Sequence, residues 1–298
     1  MTAALGLGTY RCRGVAEAAK AALDAGVNWI DTAPNYQGGE AERHLAPVLE
    51  THPGVGVSTK AGYVAEARRA EAVSAGGLPP EEAARGHSIR PAFVSWQAER
   101  SREELGRAPD IVFLHNAEHG HTTPSSLEHA LLLAFEALEE ACARGVLGGY
   151  GIATWDAFHQ GLTTIERLLT LARMAGGRHH HFKAVQLPLS LIRIAPLADA
   201  LSGIGTLADA ASAGVDVFAS APLHGGELLD IVTPAVAEQL DPGLTPLEAT
   251  LGTVASSPGV TRILLSASTA KHWAEAAAAV AQPVRAPRIR RIVDAFSS

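Results

Sequence analysis

Short apolar runs alternate along the chain with longer stretches whose apolar positions recur every three or four residues. The runs fall at 5–8, 27–31, 54–60, 111–115, 148–153, 184–187, 215–220 and 261–265. Each is too short for a helix and ends at Gly, Asp, Asn or a polar break, which predicts a strand. The intervening patterns predict helices at 15–25, 40–50, 91–105, 126–144, 165–175, 207–213, 246–256 and 270–280. Gly26, Gly145 and Gly214 follow helical runs, where a left-handed closing residue is expected. Strand followed by helix, eight times over, predicts an α/β fold with a parallel sheet closed on itself. The expectation is a single (β/α)8 TIM barrel occupying residues 1–298.

The segment at about 64–90 breaks the alternation. It is rich in Ala, Glu, Arg and Gly and is interrupted by Gly76-Gly77-Leu78-Pro79-Pro80. It leaves the end of the third predicted strand, so it reads as an active-site loop insertion covering part of the site; the alternative is a disordered surface insertion. The tail carries Ile289, Ile292, Val293 and Phe296 at helical spacing and is expected to pack outside the barrel.

Composition narrows the partners. Hydrophobic residues make up 47% of 298, ample for one large core, and the net charge of −7 offers no field for nucleic acid. No apolar run approaches the ~20 residues of a membrane helix. The opening residues read directly into a strand, without a charged-then-apolar leader, so a cytoplasmic location is expected. Cys12 and Cys142 are far apart and read as ordinary thiols. Arg178-His179-His180-His181 precedes the sixth strand; consecutive histidines point different ways, and no metal is expected there.

The chemistry is concentrated at strand ends. Asp31 ends the second run, Tyr36 follows five residues on, Lys60 ends the third run and His115 the fourth. Titratable groups at the carboxyl ends of several parallel strands are how a barrel builds an active site. A phenol with an ordinary pKa near ~10 is a poor acid unless a cation lies close. Lys60 can supply that cation, Asp31 can keep it charged, and His115 can hydrogen-bond a carbonyl oxygen. Taken singly, Asp31 could cap a helix, Lys60 could be solvated and His115 could be a satisfied buried histidine. Tyr63 and Asn116 adjoin these positions and read as pocket lining, while His119 and His121 read as solvated loop residues. Trp29 reads as core, and Trp155 as core or cofactor-site wall. Gly6-x-Gly8 is not a dinucleotide fingerprint, since no third Gly and no matching acid follow.

The ordered set resembles the aldo-keto reductase family. The likeness runs through Gly6-Leu7-Gly8-Thr9-Tyr10, Asp31 and Tyr36, Lys60, Leu114-His115-Asn116, Tyr150-Gly151-Ile152, Val185-Gln186 and Ala221-Pro222-Leu223. It implies an NAD(P)H-dependent carbonyl reductase or alcohol dehydrogenase acting on a small-molecule carbonyl or alcohol, with Tyr36 as proton donor. It also implies NADP as cofactor, with NAD as the alternative. Its nicotinamide amide would lie near Thr154 and Gln186, and its pyrophosphate along the loop carrying Leu223, Gly225 and Leu228. Its adenosine end would lie near Ser266, Ser268, Lys271, His272 and Glu275. Several positions depart from the family pattern. Ala153-Thr154 stands for Ser-Asn, Ser220 for a stacking aromatic, Ala221 for a common Ser, His272 for a phosphate-binding Arg and Ala276 for an adenine-facing Asn. These departures leave two alternatives open: non-redox chemistry (a lyase, dehydratase or isomerase) on a retained acid/base tetrad, or a non-catalytic regulatory member.

Overall fold

Eight short parallel strands close on themselves in chain order in a computed structural model that describes residues 3–240, 242–282 and 284–297. They are β1 (Ala4–Gly8), β2 (Trp29–Asp31), β3 (Gly56–Ala61), β4 (Ile111–His115), β5 (Tyr150–Ala153), β6 (Phe182–Pro188), β7 (Asp216–Ser220) and β8 (Arg262–Leu265). β8 pairs with β1 through Ala4↔Arg262 to Leu7↔Leu265 and closes the barrel. All eight predicted strands are present, shifted by no more than a few residues at their ends.

The period-two alternation of each strand divides its side chains between two cores. In β4, Val112 and Leu114 face the helices and join the large outer core with Leu7, Ile30 and Val57. Ile111 and Phe113 face inward and meet Ala153, Ala184, Phe218, Leu264 and Trp29, which fill the barrel. Fully burying each of these large apolar side chains is worth about 1.5–3 kcal/mol. Gly56 is needed on β3 because a Cβ there would come within 2.2 Å of the Trp29 ring. The same alternation aims Asp31, Lys60 and His115 inward, as the last inward positions of their strands, above the apolar plug. That is why the plug forms the floor of a site rather than the lining of a pore.

The predicted helices are all found, and the chain makes further ones at Arg69–Ser74, Pro80–Arg85, Ala195–Leu201, Leu228–Ile231, Pro234–Leu240 and Ala286–Ser297. The first two belong to the insertion at 64–90. It is ordered by a small core of its own, in which Val64, Ala72, Leu78 and Ala83 pack against Phe93. Arg68 fastens it to the barrel by reaching Glu40 at 3.3 Å and the buried Glu104 at 3.2 Å, and pairs within the insertion with Glu71 at 3.3 Å. Its apolar positions sit at helical spacing within an Ala-rich run, a signal that the Gly-Pro break obscures. The tail helix packs as expected, Ile289 and Val293 joining Leu191, Leu197 and Val232. The side chains of Ile292 and Phe296 lie outside the described residues. Among the described residues no helix is long and apolar enough to cross a membrane.

One buried carboxyl sits behind the barrel wall. Thr59, pointing outward from β3, donates a hydrogen bond of 2.5 Å to Glu42. Burial pushes the Glu42 carboxyl from 4.5 up to about 7, against the opposing pull of the Thr59 and Ser101 hydroxyls. Between about pH 4.5 and 7 the folded chain therefore holds a proton that the unfolded chain releases, and stability falls as pH rises through that window. At 1.36 kcal/mol per unit the effect reaches roughly 3 kcal/mol. Glu42→Gln should remove it. Urea titrations should then find the variant more stable than wild type at pH 8 and the difference fading toward pH 4.5. An equal difference at both ends would sink this account.

Candidate active site

Asp31, Tyr36 and His115 line one cavity of about 720 Å³ at the carboxyl end of the barrel. Lys60 lies just beneath, 2% exposed. Its Nζ donates to Asp31 Oδ2 at 2.6 Å and to the Thr32 carbonyl at 2.8 Å. The same ammonium stands 4.9 Å from the centre of the Tyr36 ring. A second line of support continues below: Trp29 Nε1 donates to Ser58 Oγ at 3.0 Å, and Ser58 donates to Asp31 Oδ1 at 2.7 Å. Each carboxylate oxygen of Asp31 therefore has its own donor. A buried ion pair is secure only when its remaining hydrogen-bonding sites are satisfied.

Burial acts on every titratable group here, and the local charges decide the outcome. It would lower Lys60, but the charge of Asp31 and the contacts with Asp31 and Tyr36 lift the ammonium above 10.5. It raises Tyr36 above 10.0, and the Lys60 charge and hydrogen bond only partly offset it. The phenol is thus fully protonated at neutral pH, and the cation does not turn it into a strong acid in the resting protein. Burial and then the Lys60 charge hold His115 well below 6.5, so the imidazole is neutral and keeps one ring N–H as a donor. The site pairs a protonated phenol with a fixed cation and a neutral imidazole.

A belt of polar groups surrounds His115. Tyr63 packs edge-on to it at 4.8 Å, and the Tyr63 hydroxyl accepts from Asn116 Nδ2 at 3.3 Å and meets His119 Nδ1 at 2.8 Å. Tyr63 and Asn116 do line the cavity, and His119 is tied to that wall rather than simply solvated. The insertion contributes His87, whose Nε2 donates to the His115 carbonyl at 2.8 Å. It braces the candidate site from outside, and no residue of 64–90 is among those lining the cavity.

The expected cofactor positions are less uniform. Gln186 lines the cavity and is 5% exposed, and its Nε2 has no hydrogen-bond partner among the described residues. Thr154 also lines it, but its hydroxyl donates to Glu118 Oε1 at 2.7 Å and accepts from Ala157 N at 2.8 Å. Leu223 and Gly225 are in the wall, whereas Leu228 is buried away from it. The loop approaches closely because Gly225 and Gly226 take φ of 73° and 103°. Ser266 lines the cavity and stitches the barrel seam, its one hydroxyl proton shared between the Gly8 and Tyr10 carbonyls at 2.6 and 2.9 Å. Ser268 lies just before, and Lys271, His272 and Glu275 on, the exposed start of the helix Ala270–Ala281, outside the cavity wall. Lys271 pairs there with Glu275 at 3.7 Å. Ala276 packs into the core.

Four cavity or supporting residues escaped the sequence reading: Ser58, Asn35, Glu118 and Arg11. Ser58 was detectable, since it lies two residues before Lys60 and so shares its inward face. Asn35 lines the cavity with a buried, unpartnered Oδ1. The Arg11 guanidinium lies in the wall against Gly225, 3.2 Å from where a Cβ would be, with no ion pair among the described residues. Nothing in its local sequence signals that position. Among the described residues no cluster of three or more His, Cys, Asp or Glu is arranged to hold a metal. His181 of the histidine run is bonded instead to Glu139 at 2.6 Å.

The model of the aldo/keto reductase family matches residues 2–295. The chain belongs to the aldo/keto reductase family. A curated relative, a D-threo-aldose 1-dehydrogenase from a Pseudomonas species, is 33% identical over 145 residues. That match covers 45% of this chain and 42% of the relative. Among solved structures, an aldo/keto reductase from Klebsiella pneumoniae in complex with NADP and acetate superposes with a TM-score of 0.65 at 21% identity, covering 98% of this chain and 91% of its own. An aldo-keto reductase from Bacillus halodurans in its holo form gives 0.67 at 18% identity, with 99% and 92% covered. At these identities the structures bear on the fold alone, and it is the barrel described above.

Proposed function

We propose that this aldo/keto reductase is an NADP(H)-dependent carbonyl reductase or alcohol dehydrogenase for small molecules, with Tyr36 as the proton donor. The observation that carries the reading is the buried ammonium of Lys60, held by Asp31 at 2.6 Å beneath Tyr36 on the cavity floor. A nicotinamide dinucleotide supplies or removes the hydride when bound. The residues present fit one: Gln186 offers a buried, unused donor, the loop at 223–227 offers close backbone, and Arg11 offers a guanidinium for a pyrophosphate. The NADP named with the Klebsiella pneumoniae structure supports the same choice.

The chain's own part follows from its charges. Neutral His115 donates to the carbonyl oxygen and directs it toward Tyr36. As negative charge builds on that oxygen, Tyr36 transfers its proton, and Lys60 stabilises the phenolate left behind. Asp31 keeps Lys60 charged and in place throughout. Positioned acid catalysis of this kind contributes ~10²–10⁴-fold, and the water-poor floor strengthens each electrostatic contact. In alcohol oxidation, deprotonated Tyr36 takes the proton.

The test is loss of reduced-cofactor absorbance when small aldehydes are added, run with NADPH and with NADH. Turnover with NADPH is expected. Discrimination against NADH should stay within about two decades, because Lys271 and His272 offer no guanidinium fork for a 2′-phosphate. Reduction should be nearly level between pH 6.5 and 10.0, where His115 is neutral and Tyr36 protonated. Oxidation should climb across the same interval as more Tyr36 loses its proton. Oxidation that slows with rising pH would remove Tyr36 from its role. No turnover and no binding of either nucleotide would point to the non-redox alternative.

A further inference from the structure

Glu118 takes no part in the mechanism above, yet it is 8% exposed and unusually committed. Its Oε1 accepts three hydrogen bonds, from Thr154 Oγ1 at 2.7 Å, Trp155 N at 2.9 Å and Asp156 N at 3.1 Å. It forms no ion pair among the described residues, and its other oxygen is buried without a partner. The consequence falls on Thr154, which faces the cavity at the end of β5. A hydroxyl has one proton and two lone pairs. Here the proton goes to Glu118 and one lone pair to Ala157 N. What remains toward the cavity is a single lone pair, so Thr154 can only accept.

The neighbouring strand supplies the opposite. Thr154 N donates to the Gln186 carbonyl at 2.9 Å, which holds the two residues side by side. Gln186 Nε2, buried and unpartnered in the same wall, can only donate. A fixed acceptor beside an unused donor is the complement of a primary carboxamide, which offers an N–H and a carbonyl. We propose that Glu118 is a positioning residue for the nicotinamide carboxamide. By holding the Thr154 proton it makes that hydroxyl an obligate acceptor for the amide N–H, while Gln186 donates to the amide carbonyl. This rests on the reading of the chain as a nicotinamide-dependent oxidoreductase and adds the group that orients the ring. The carboxylate also polarises the Thr154 O–H, which strengthens its oxygen as an acceptor. With the hydroxyl free to rotate, either end of the amide could be accommodated and the ring could bind turned over.

Trp155 lies in the cavity wall, so quenching of tryptophan fluorescence reports nucleotide binding without turnover. The probes are NADP⁺ and its 3-acetylpyridine analogue, which keeps the carbonyl and replaces the amide nitrogen with a methyl group. Wild type should bind NADP⁺ about five- to tenfold more tightly than the analogue, as one directed hydrogen bond implies. Thr154→Val should bring that ratio close to one by weakening NADP⁺ alone. Glu118→Gln, which retains the shape without the charge, should at least halve it, and Thr154→Ser should restore it. A Glu118 that merely braces the turn at 154–157 would weaken both nucleotides by one factor and leave the ratio intact. That result, or a wild-type ratio near one, overturns the proposal while leaving the oxidoreductase reading in place. Failure of wild type to bind either nucleotide at concentrations on the order of 1 mM overturns both.

Discussion

Replacing Tyr36 with Phe should lower kcat at least about 100-fold and leave nucleotide affinity nearly unchanged. The substitution keeps the ring, with its contacts to Tyr10 at 5.2 Å and His115 at 6.2 Å, and removes only the hydroxyl above Lys60. The cation beneath the ring also stays where it is. Little stability should be lost, so the fall in rate reports the missing proton. Steady-state kinetics beside a fluorescence titration separates the two quantities. A variant that turns over at the wild-type rate would show that the proton comes from elsewhere, and a tenfold loss of nucleotide affinity would show that the hydroxyl was a binding group.

Lys60→Met should be as damaging to the rate and, unlike the phenylalanine variant, damaging to the fold. It leaves the Asp31 carboxylate buried with only Ser58, among the described residues, donating to it. Stripping one partner from a buried pair costs about 3–5 kcal/mol, mostly through the charge left behind. The sign of the second effect gives the test: adding Asp31→Asn to Lys60→Met should recover much of the stability and none of the activity. Urea unfolding of the two single variants and the double variant measures the coupling. Strictly additive losses would mean that the pair is not the electrostatic unit inferred from its 2.6 Å contact.

The barrel and its principal polar groups were readable because both follow from periodicity. Ile111, Phe113 and His115 alternate with Val112 and Leu114, so the strand, its two faces and the residue at its tip are all visible in five letters. What lay beyond reading depends on loops. Thr154 is a plausible cofactor contact by position, but that Glu118 has taken its proton is set by a turn after another strand. Lys271 and His272 were placed near a phosphate by spacing, and their exposure depends on how the helix Ala270–Ala281 leaves the barrel. The insertion at 64–90 hid its internal core for the opposite reason. Its Gly-Pro break dominates the local pattern, while the core that orders it is completed by Phe93, beyond its own end.

The order of strands around the barrel also separates two tasks. Asp31, Lys60 and His115 come from the consecutive strands β2, β3 and β4, while Gln186, the loop at 223–227 and Ser266 come from β6, β7 and β8. The candidate proton-handling groups thus occupy one arc of the rim and the candidate nucleotide contacts the rest, meeting across the cavity, at the seam between β8 and β1, and between β4 and β5, where Glu118 reaches Thr154. The loop after β4 belongs to both, since Glu118 stands two residues beyond Asn116 and accepts from Thr154, Trp155 and Asp156. An edit to that loop therefore reaches both tasks at once, and only changes on the far side of the first arc can alter one without the other.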